Sequence, residues 1–274
     1  MGLMNPMTFR YQPDWVKVTL MKFLIVLALL ASCRKGDVKM DKRALIVVTS
    51  NDTFGPNGPK QKRTGWYLSE VTHVYFPLVE AGYVVEFASP RGGAAPLDEG
   101  SRNLDDADNR RFVESGLLAR LSATMPVSAV DPRRYEVVHF AGGHGVMWDF
   151  PGQPDIGRVA ASVYEQGGVV AAVCHGPAAL VDVRLSDGTY LVAGKEVSAF
   201  TDDEERAVGL SEIVPFLLSS KLASRGANMR PGGNWQSQVS VSQRLVTGQN
   251  PQSAKTLGAK IVEVASSSAS SRQR

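Results

Sequence analysis

Apolar residues in this chain gather in short runs bounded by glycine, proline or polar residues. Residues 44–50 (ALIVVTS), 84–88 (VVEFA), 135–141 (YEVVHFA) and 169–173 (VVAAV) are such runs, and each has the length of a strand. The last is wholly apolar, which suits a strand covered on both faces, as in a parallel sheet. Between these runs the period lengthens. Trp66, Leu68, Val71, Val74, Tyr75, Leu78 and Val79 recur at near-helical spacing and predict a helix over 66–81, closed by Gly82. Further helices are expected over 103–121 (charged and largely solvent-facing), 156–165, 213–224 and 251–265, the last with Asn250 as N-cap. Residues 187–195 read as a turn-rich strand pair, 239–242 and 245–247 as short strands, and the Ser-rich end 266–274 as frayed. Strands alternating with helices predict an α/β fold, a mostly parallel open sheet with helices on both faces. One such domain is expected over 43–265, with no internal repeat and no second core.

Ligands of open α/β sheets bind beyond the carboxyl ends of the strands. That rule gathers residues 142–145 (GGHG), Cys174 and the loop after Ala88 at one edge. Residues 169–180 read VVAAVCHGPAAL: a buried strand ends at Cys174, and His175-Gly176-Pro177 opens an alanine-rich helical stretch. Gly176 permits a tight turn and Pro177 suits a first helical turn. This is a strand–nucleophile–helix elbow with a thiol in place of a serine hydroxyl. A helix N-terminus beside Cys174 is expected to favour the thiolate. The bland alternative is a buried structural cysteine. His175, adjacent to the thiol, has an imidazole suited to acid–base work near neutral pH, or else merely hydrogen-bonds within the turn. Gly142 and Gly143 let the backbone approach a ligand, so the Gly143 and His175 N–H groups are candidates for an oxyanion hole, with His144 alongside. A plain strand-end turn is the alternative.

Composition narrows the field only a little. Of 274 residues, 43% are hydrophobic and 21% charged, and the net charge is +3. No basic run with interleaved aromatics occurs, so nucleic acid is not an expected partner. Two cysteines, Cys33 and Cys174, provide no disulfide framework, and no clustered Cys/His spacing calls for a metal. At the amino terminus Met21-Lys22 precedes the apolar run 23–30, too short to span a bilayer, and then Ala31-Ser32-Cys33. That pattern suits a secretory signal, and Leu30-Ala31-Ser32-Cys33 resembles a bacterial lipobox in which Cys33 is acylated. On that reading 1–20 is a mis-annotated extension, 21–32 a lipoprotein-type signal and 33–42 a tether. The protein then sits in the bacterial cell envelope, touching membrane only through its lipid anchor. An ordinary apolar amino-terminal helix in a cytoplasmic protein is the alternative.

Four segments together carry a family resemblance: AAVCHGPAAL, AGGHGVMWDF, EAGYVVEFASPRGG with PLDEGS, and LVTGQNP. They resemble the PfpI/DJ superfamily, with its class I glutamine amidotransferase-like, flavodoxin-like fold, and within it the heat-shock-protein-31-like glyoxalase III branch. The resemblance implies a glyoxalase needing no glutathione, metal or other cofactor, acting on small 2-oxoaldehydes such as methylglyoxal, and a homodimer. It implies Cys174 as nucleophile, His175 as acid–base partner and Glu70 as the acid near the thiol. A carboxyl beside a thiolate must be protonated or share a proton, because adjacent anions repel. Asp202, within the run Asp202-Asp203-Glu204-Glu205, resembles the acid that orients the His in some members. An exposed acidic loop is an equal contender, and any of the four is a candidate. Deglycase, peptidase, holdase and thiol-sensor functions occur as alternatives among such proteins. A true amidotransferase is disfavoured, because no His follows His175.

Overall fold

The computed structural model describes residues 1–2, 42–60 and 62–272, with side chains through Ser268. The chain divides into Met1–Met40 and Asp41–Arg274, and the second unit holds the α/β fold. The expected extension, signal, Cys33 and nearly all of the tether lie outside the described residues. Among the described residues no helix is long and apolar enough to cross a membrane.

The apolar runs become the strands that the pattern predicts. β1 (Arg43–Val47), β2 (Val84–Ser89), β4 (Val137–Phe140) and β5 (Val169–Val173) are joined by a two-residue β3 (Met125–Pro126), β8 (Val239–Ser242) and β9 (Leu245–Gly248) in a seven-stranded sheet. Its order is β3-β2-β1-β4-β5-β9-β8, parallel throughout except for the antiparallel β8–β9 pair. Alternate residues of one strand enter opposite cores. Leu45, Val47, Val138, Phe140, Val170 and Ala172 pack with Ile156, Val159 and Val163 of α4 (Pro154–Glu165). Ala44, Ile46, Val137, Ala171 and Val173 pack with Val71, Val74 and Leu78 of α1 (Leu68–Glu80) and with Leu257 and Ile261 of α7 (Ala254–Arg272). Both faces of the strands are therefore dry, which is why their sequences lack alternation. Each fully buried Val, Leu or Ile contributes roughly 1.5–3 kcal/mol of transfer free energy.

Several element bounds differ from expectation. Asp106 caps α2 (Ala107–Glu114) by accepting from the Asp108 and Asn109 amides. Gly116, at φ 71°, then breaks the predicted 103–121 helix into α2 and a 3₁₀ segment, Leu117–Ala123, and Phe112 and Leu121 are buried rather than solvent-facing. The helix expected over 213–224 is only α6 (Leu218–Ser224), because Pro215 lacks a donor and disfavours helix before it. Residues 187–195 form turns with one bridge, Arg184 to Tyr190, rather than a strand pair. A separate two-stranded ribbon pairs β6 (Glu196–Val197) with β7 (Asn228–Met229). The tail expected to fray from 266 continues α7 to Arg272, and Ser266, Ser267 and Ser268 bond back to carbonyls one turn earlier. A four-residue helix, α3 (Val146–Asp149), follows the glycine loop, and α5 (Asp202–Ala207) carries the acidic run.

Candidate active site

Cys174 is the first residue after β5, and its φ of 59° lies in the left-handed region that non-glycine residues rarely occupy. Two backbone bonds hold it there: its N–H donates to Gly248 O of β9 at 3.0 Å, and its carbonyl accepts from Phe200 N at 2.9 Å. Backbone strain of this kind persists where the surroundings over-determine the conformation, and it turns the side chain out of the strand. Gly176 completes the bend, because a Cβ there would stand 2.1 Å from Phe140 O. The following segment is a 3₁₀ turn, Gly176–Leu180, and not the α-helix expected. The anticipated help to a thiolate is missing with it. Burial, the Glu70 charge and a hydrogen bond to Glu70 push the Cys174 thiol well above its ordinary value, opposed by the His175 amide.

Beside the buried sulfur, which is 3% exposed as a residue, stand two groups from different elements. His175 places Nδ1 at 3.3 Å from Sγ. Glu70, in the first turn of α1, is fully buried beside the thiol. Its Oε2 accepts from Gly142 N at 2.7 Å, and Oε1 has no hydrogen-bond partner. Burial pushes this carboxyl up to about 8, against the lowering effect of the Gly142 amide and the thiol. It is therefore protonated, or shares a proton with Cys174, at neutral pH. His139 ties β4 to α1 through Nε2 and Glu70 O at 3.0 Å, and burial depresses it to about 4, so it stays a neutral core residue.

The other side of His175 meets Glu205. Its Nε2 lies 2.7 Å from Glu205 Oε2, while His144 Nε2 lies 2.9 Å from Glu205 Oε1. Burial opposes the Glu205 charge, but the two histidines outweigh it and hold the carboxyl well below the usual range. An ionised carboxylate only accepts, so both imidazoles donate from Nε2. Burial, reinforced by His175, depresses His144 to about 4 and keeps it neutral. With a hydrogen on Nε2, the His175 ring can turn a lone pair on Nδ1 toward the thiol. Its ring is held between His144 and Phe200, with centroids at 4.1 and 4.3 Å.

Asp202 does not reach His175. It faces out and accepts from the Ser220 amide and hydroxyl, and Asp203 pairs with Arg206. Thr201 and Glu204 form a capping box that starts α5, so the first two acids face out and the next two are buried. The pattern Thr-x-x-Glu in the sequence is the signal that could have separated them. Gly142 also departs from expectation: its N–H serves Glu70 and it does not line the cavity, whereas Gly143, at φ 95°, does. The cavity holds about 250 Å³ and opens onto Cys174, His175, Gly143 and His144, with Tyr67, Phe200 and Trp235 as aromatic walls.

Residues 65–264 match the DJ-1/PfpI family. The chain belongs to that family. It is 33% identical to Glyoxalase 3 of Candida albicans over 225 residues, covering 77% of this chain and 93% of the relative. It is also 33% identical to the glutathione-independent glyoxalase HSP31 of Saccharomyces cerevisiae, over 81% and 97% of the two chains. Among solved structures, the glyoxalase III of Candida albicans superposes with TM-score 0.75 at 30% identity, over 82% of this chain and 98% of that one. The Rapid Encystment Protein of Francisella tularensis superposes with TM-score 0.77 at 35% identity, over 82% and 99%.

This DJ-1/PfpI chain also uses residues that pattern alone left unassigned. Burial and the neighbouring Glu70 charge push the Tyr67 hydroxyl up to about 12, so it is a neutral donor at the cavity wall. Glu204 accepts from the Trp235 amide and Asn250 Nδ2, at 2.9 and 2.8 Å, and so pins an indole held at φ 61°. Asp149 accepts from the Thr49 hydroxyl and Ser50 amide, and His73 pairs with Asp106 at 2.9 Å, away from the thiol. Among the described residues two groups have donor sets that can hold a cation: His144, His175 and Glu205, and separately His73, Asp106 and Asp108.

Proposed function

We propose that this chain is a glutathione-independent glyoxalase that converts methylglyoxal and related 2-oxoaldehydes to 2-hydroxy acids. The observation that carries this reading is a buried thiol with an imidazole nitrogen 3.3 Å away and a buried carboxyl of raised pKa beside it. The relatives named as glyoxalases, matched over most of their length, support it.

The steps follow from the placement. The Cys174 proton passes to His175 Nδ1, and the imidazolium that forms is stabilised by Glu205. Sulfur then bonds to the aldehyde carbon, and the new alkoxide takes the proton back, giving a hemithioacetal. The Gly143 and His175 amides, both from residues that line the cavity, are the donors assigned to that developing charge. Glu70, in its ionised form, takes the hydrogen from the former aldehyde carbon and returns it to the neighbouring carbonyl carbon, while the hemithioacetal hydroxyl proton passes to the oxygen of that carbonyl. A protein-bound 2-hydroxy thioester results. Water attacks the thioester, the C–S bond breaks, and the acid leaves as the thiol is restored. No electrons leave or enter the system. A carboxyl titrating near 8 is close to the optimum for taking and returning a proton at neutral pH.

The reading extends to export, with acylation at Cys33, and to a homodimer. The signal pattern supports the first and the resemblance alone the second; palmitate labelling lost in Cys33→Ser and sedimentation test them separately. The deciding experiment measures lactate from methylglyoxal without glutathione, for the wild type, Cys174→Ala and Glu70→Gln. Turnover abolished in both variants supports the assignment. A wild type that alkylates at Cys174 but makes no lactate overturns it.

A further inference from the structure

The proposed chemistry uses one oxygen of Glu205 and leaves the other paired with His144. Two imidazole nitrogens and a carboxylate then converge from three places: the loop after β4, the elbow and α5. The ligand atoms lie within 4.8 Å of one another, with His144 Nε2 and His175 Nε2 at 2.9 and 2.7 Å from the two Glu205 oxygens. Two imidazoles and one carboxylate make a common donor set for zinc and similar divalent ions. His144 and His175 both line the cavity, which supplies an entry path and room for a water as fourth ligand. A tetrahedral ion about 2.0–2.2 Å from each ligand atom spaces those atoms roughly 3.3–3.6 Å apart, so small outward shifts replace the two hydrogen bonds by metal–ligand bonds.

We propose that His144, His175 and Glu205 form a binding site for zinc, or a similar divalent transition ion, that switches the active site off. Imidazole binds a metal through an unprotonated nitrogen. On binding, each Nε2 loses its hydrogen and each Nδ1 gains one, through water, so the rings stay neutral overall. His175 Nδ1 then carries N–H where it had a lone pair facing the thiol. It can no longer accept the Cys174 proton, and Glu205 is drawn from orienting the ring to ligating the ion. Cys174 Sγ faces Nδ1, across the ring from the metal-binding nitrogen, so this site differs from simple capture of metal by the thiol. The inhibitory half rests on the glyoxalase reading; the binding half does not.

The test uses cobalt as the probe, in the full chain with Cys33→Ser in every sample so that a thiolate signal reports on Cys174 alone. One equivalent of cobalt is expected to give visible d–d bands and no thiolate-to-cobalt charge-transfer band. Binding should survive in Cys174→Ala and in His73→Ala, which removes the second cation-binding group. It should weaken by at least ~10-fold in His144→Gln and Glu205→Gln, both checked for a wild-type melting transition. Zinc should displace cobalt and abolish lactate formation with the same midpoint. A charge-transfer band lost in Cys174→Ala, binding that follows His73, or no binding at all overturns the site; full turnover at saturating zinc overturns its inhibitory role. Absent methylglyoxal turnover with intact cobalt binding would instead count against the glyoxalase reading alone.

Discussion

Replacing Glu205 with Gln is the sharpest probe of how the elbow works. The carboxylate accepts two N–H groups, from His175 at 2.7 Å and His144 at 2.9 Å. A carboxamide has one acceptor and one donor group, so it satisfies one imidazole and offers the other an N–H. The second ring must then present a bare Nε2 and carry its hydrogen on Nδ1. When that ring is His175, the lone pair facing the thiol is lost. In either arrangement the charge that stabilises the imidazolium is gone. The corresponding amide substitution in a serine-protease triad lowers kcat about 10⁴-fold through the wrong tautomer. A loss of ~10³–10⁴ is expected here, or about 4–5.5 kcal/mol at 1.36 kcal/mol per decade. KM should change little, because the carboxylate does not line the cavity. Steady-state lactate formation measures both. Asp202→Asn is the control: its side chain faces out onto Ser220, and kcat should stay near wild type. Glu205→Gln retaining more than about a tenth of wild-type kcat, against the 10³–10⁴ loss expected of a broken triad, refutes this account. So does an Asp202→Asn loss of the same size.

Three further outcomes follow from the same geometry. The Glu70 carboxyl is raised from 4.5 to about 8, so between those pH values the folded state holds a proton that the unfolded state has lost. Stability should be full below pH 4.5 and fall on the order of 5 kcal/mol as pH rises to 8; urea midpoints across this range should slope less in Glu70→Gln, and parallel slopes count against a buried neutral carboxyl. Gly176→Ala puts a Cβ 2.1 Å from Phe140 O and should cost roughly 1–3 kcal/mol or more, seen as a lower Tm and lost Cys174 alkylation; an unchanged Tm contradicts the close approach. Trp235→Ala removes an aromatic wall without touching the thiol, and should raise KM more than it lowers kcat; a fall in kcat alone would give the indole a different task.

What the sequence made legible depended on how local the cause was. Short apolar runs identify the strands, and the ends at Ala141, before the glycine loop, and at Val173, before Cys174, mark the ligand edge. Cys174 and His175 are neighbours in sequence, so their meeting needs no topology. Glu70 lies far from Cys174 in the chain and was placed by resemblance; only the folded position of α1, tied to β4 through His139 and to the glycine loop through Gly142, accounts for it physically. Glu205 shows where local reasoning failed. Four consecutive acids carry no internal contrast until the capping box at Thr201 sets the register, which turns Asp202 outward and Glu205 inward. Gly142 misled for a similar reason. In a glycine pair either amide can face a ligand, and it is the buried Glu70 carboxyl that claims one of them. The 3₁₀ turn after the elbow was hidden because Gly-Pro opens both kinds of helix.

The two buried carboxyls explain how a thiol with a raised pKa can still serve as a nucleophile. Glu70 and Glu205 are the same residue type at similar depth, yet their environments drive them apart. Glu70 receives one backbone N–H and keeps a bare oxygen next to sulfur, so burial wins and the carboxyl stays neutral. Glu205 receives two imidazole N–H groups, so it stays ionised despite its burial. Pairs of titratable groups pushed to opposite protonation states mark an acid and its electrostatic partner. The thiol lies between them, with His175 linking it to the ionised side. Cys174 therefore needs no thiolate at rest, because its proton has an acceptor at 3.3 Å whose positive charge is already matched.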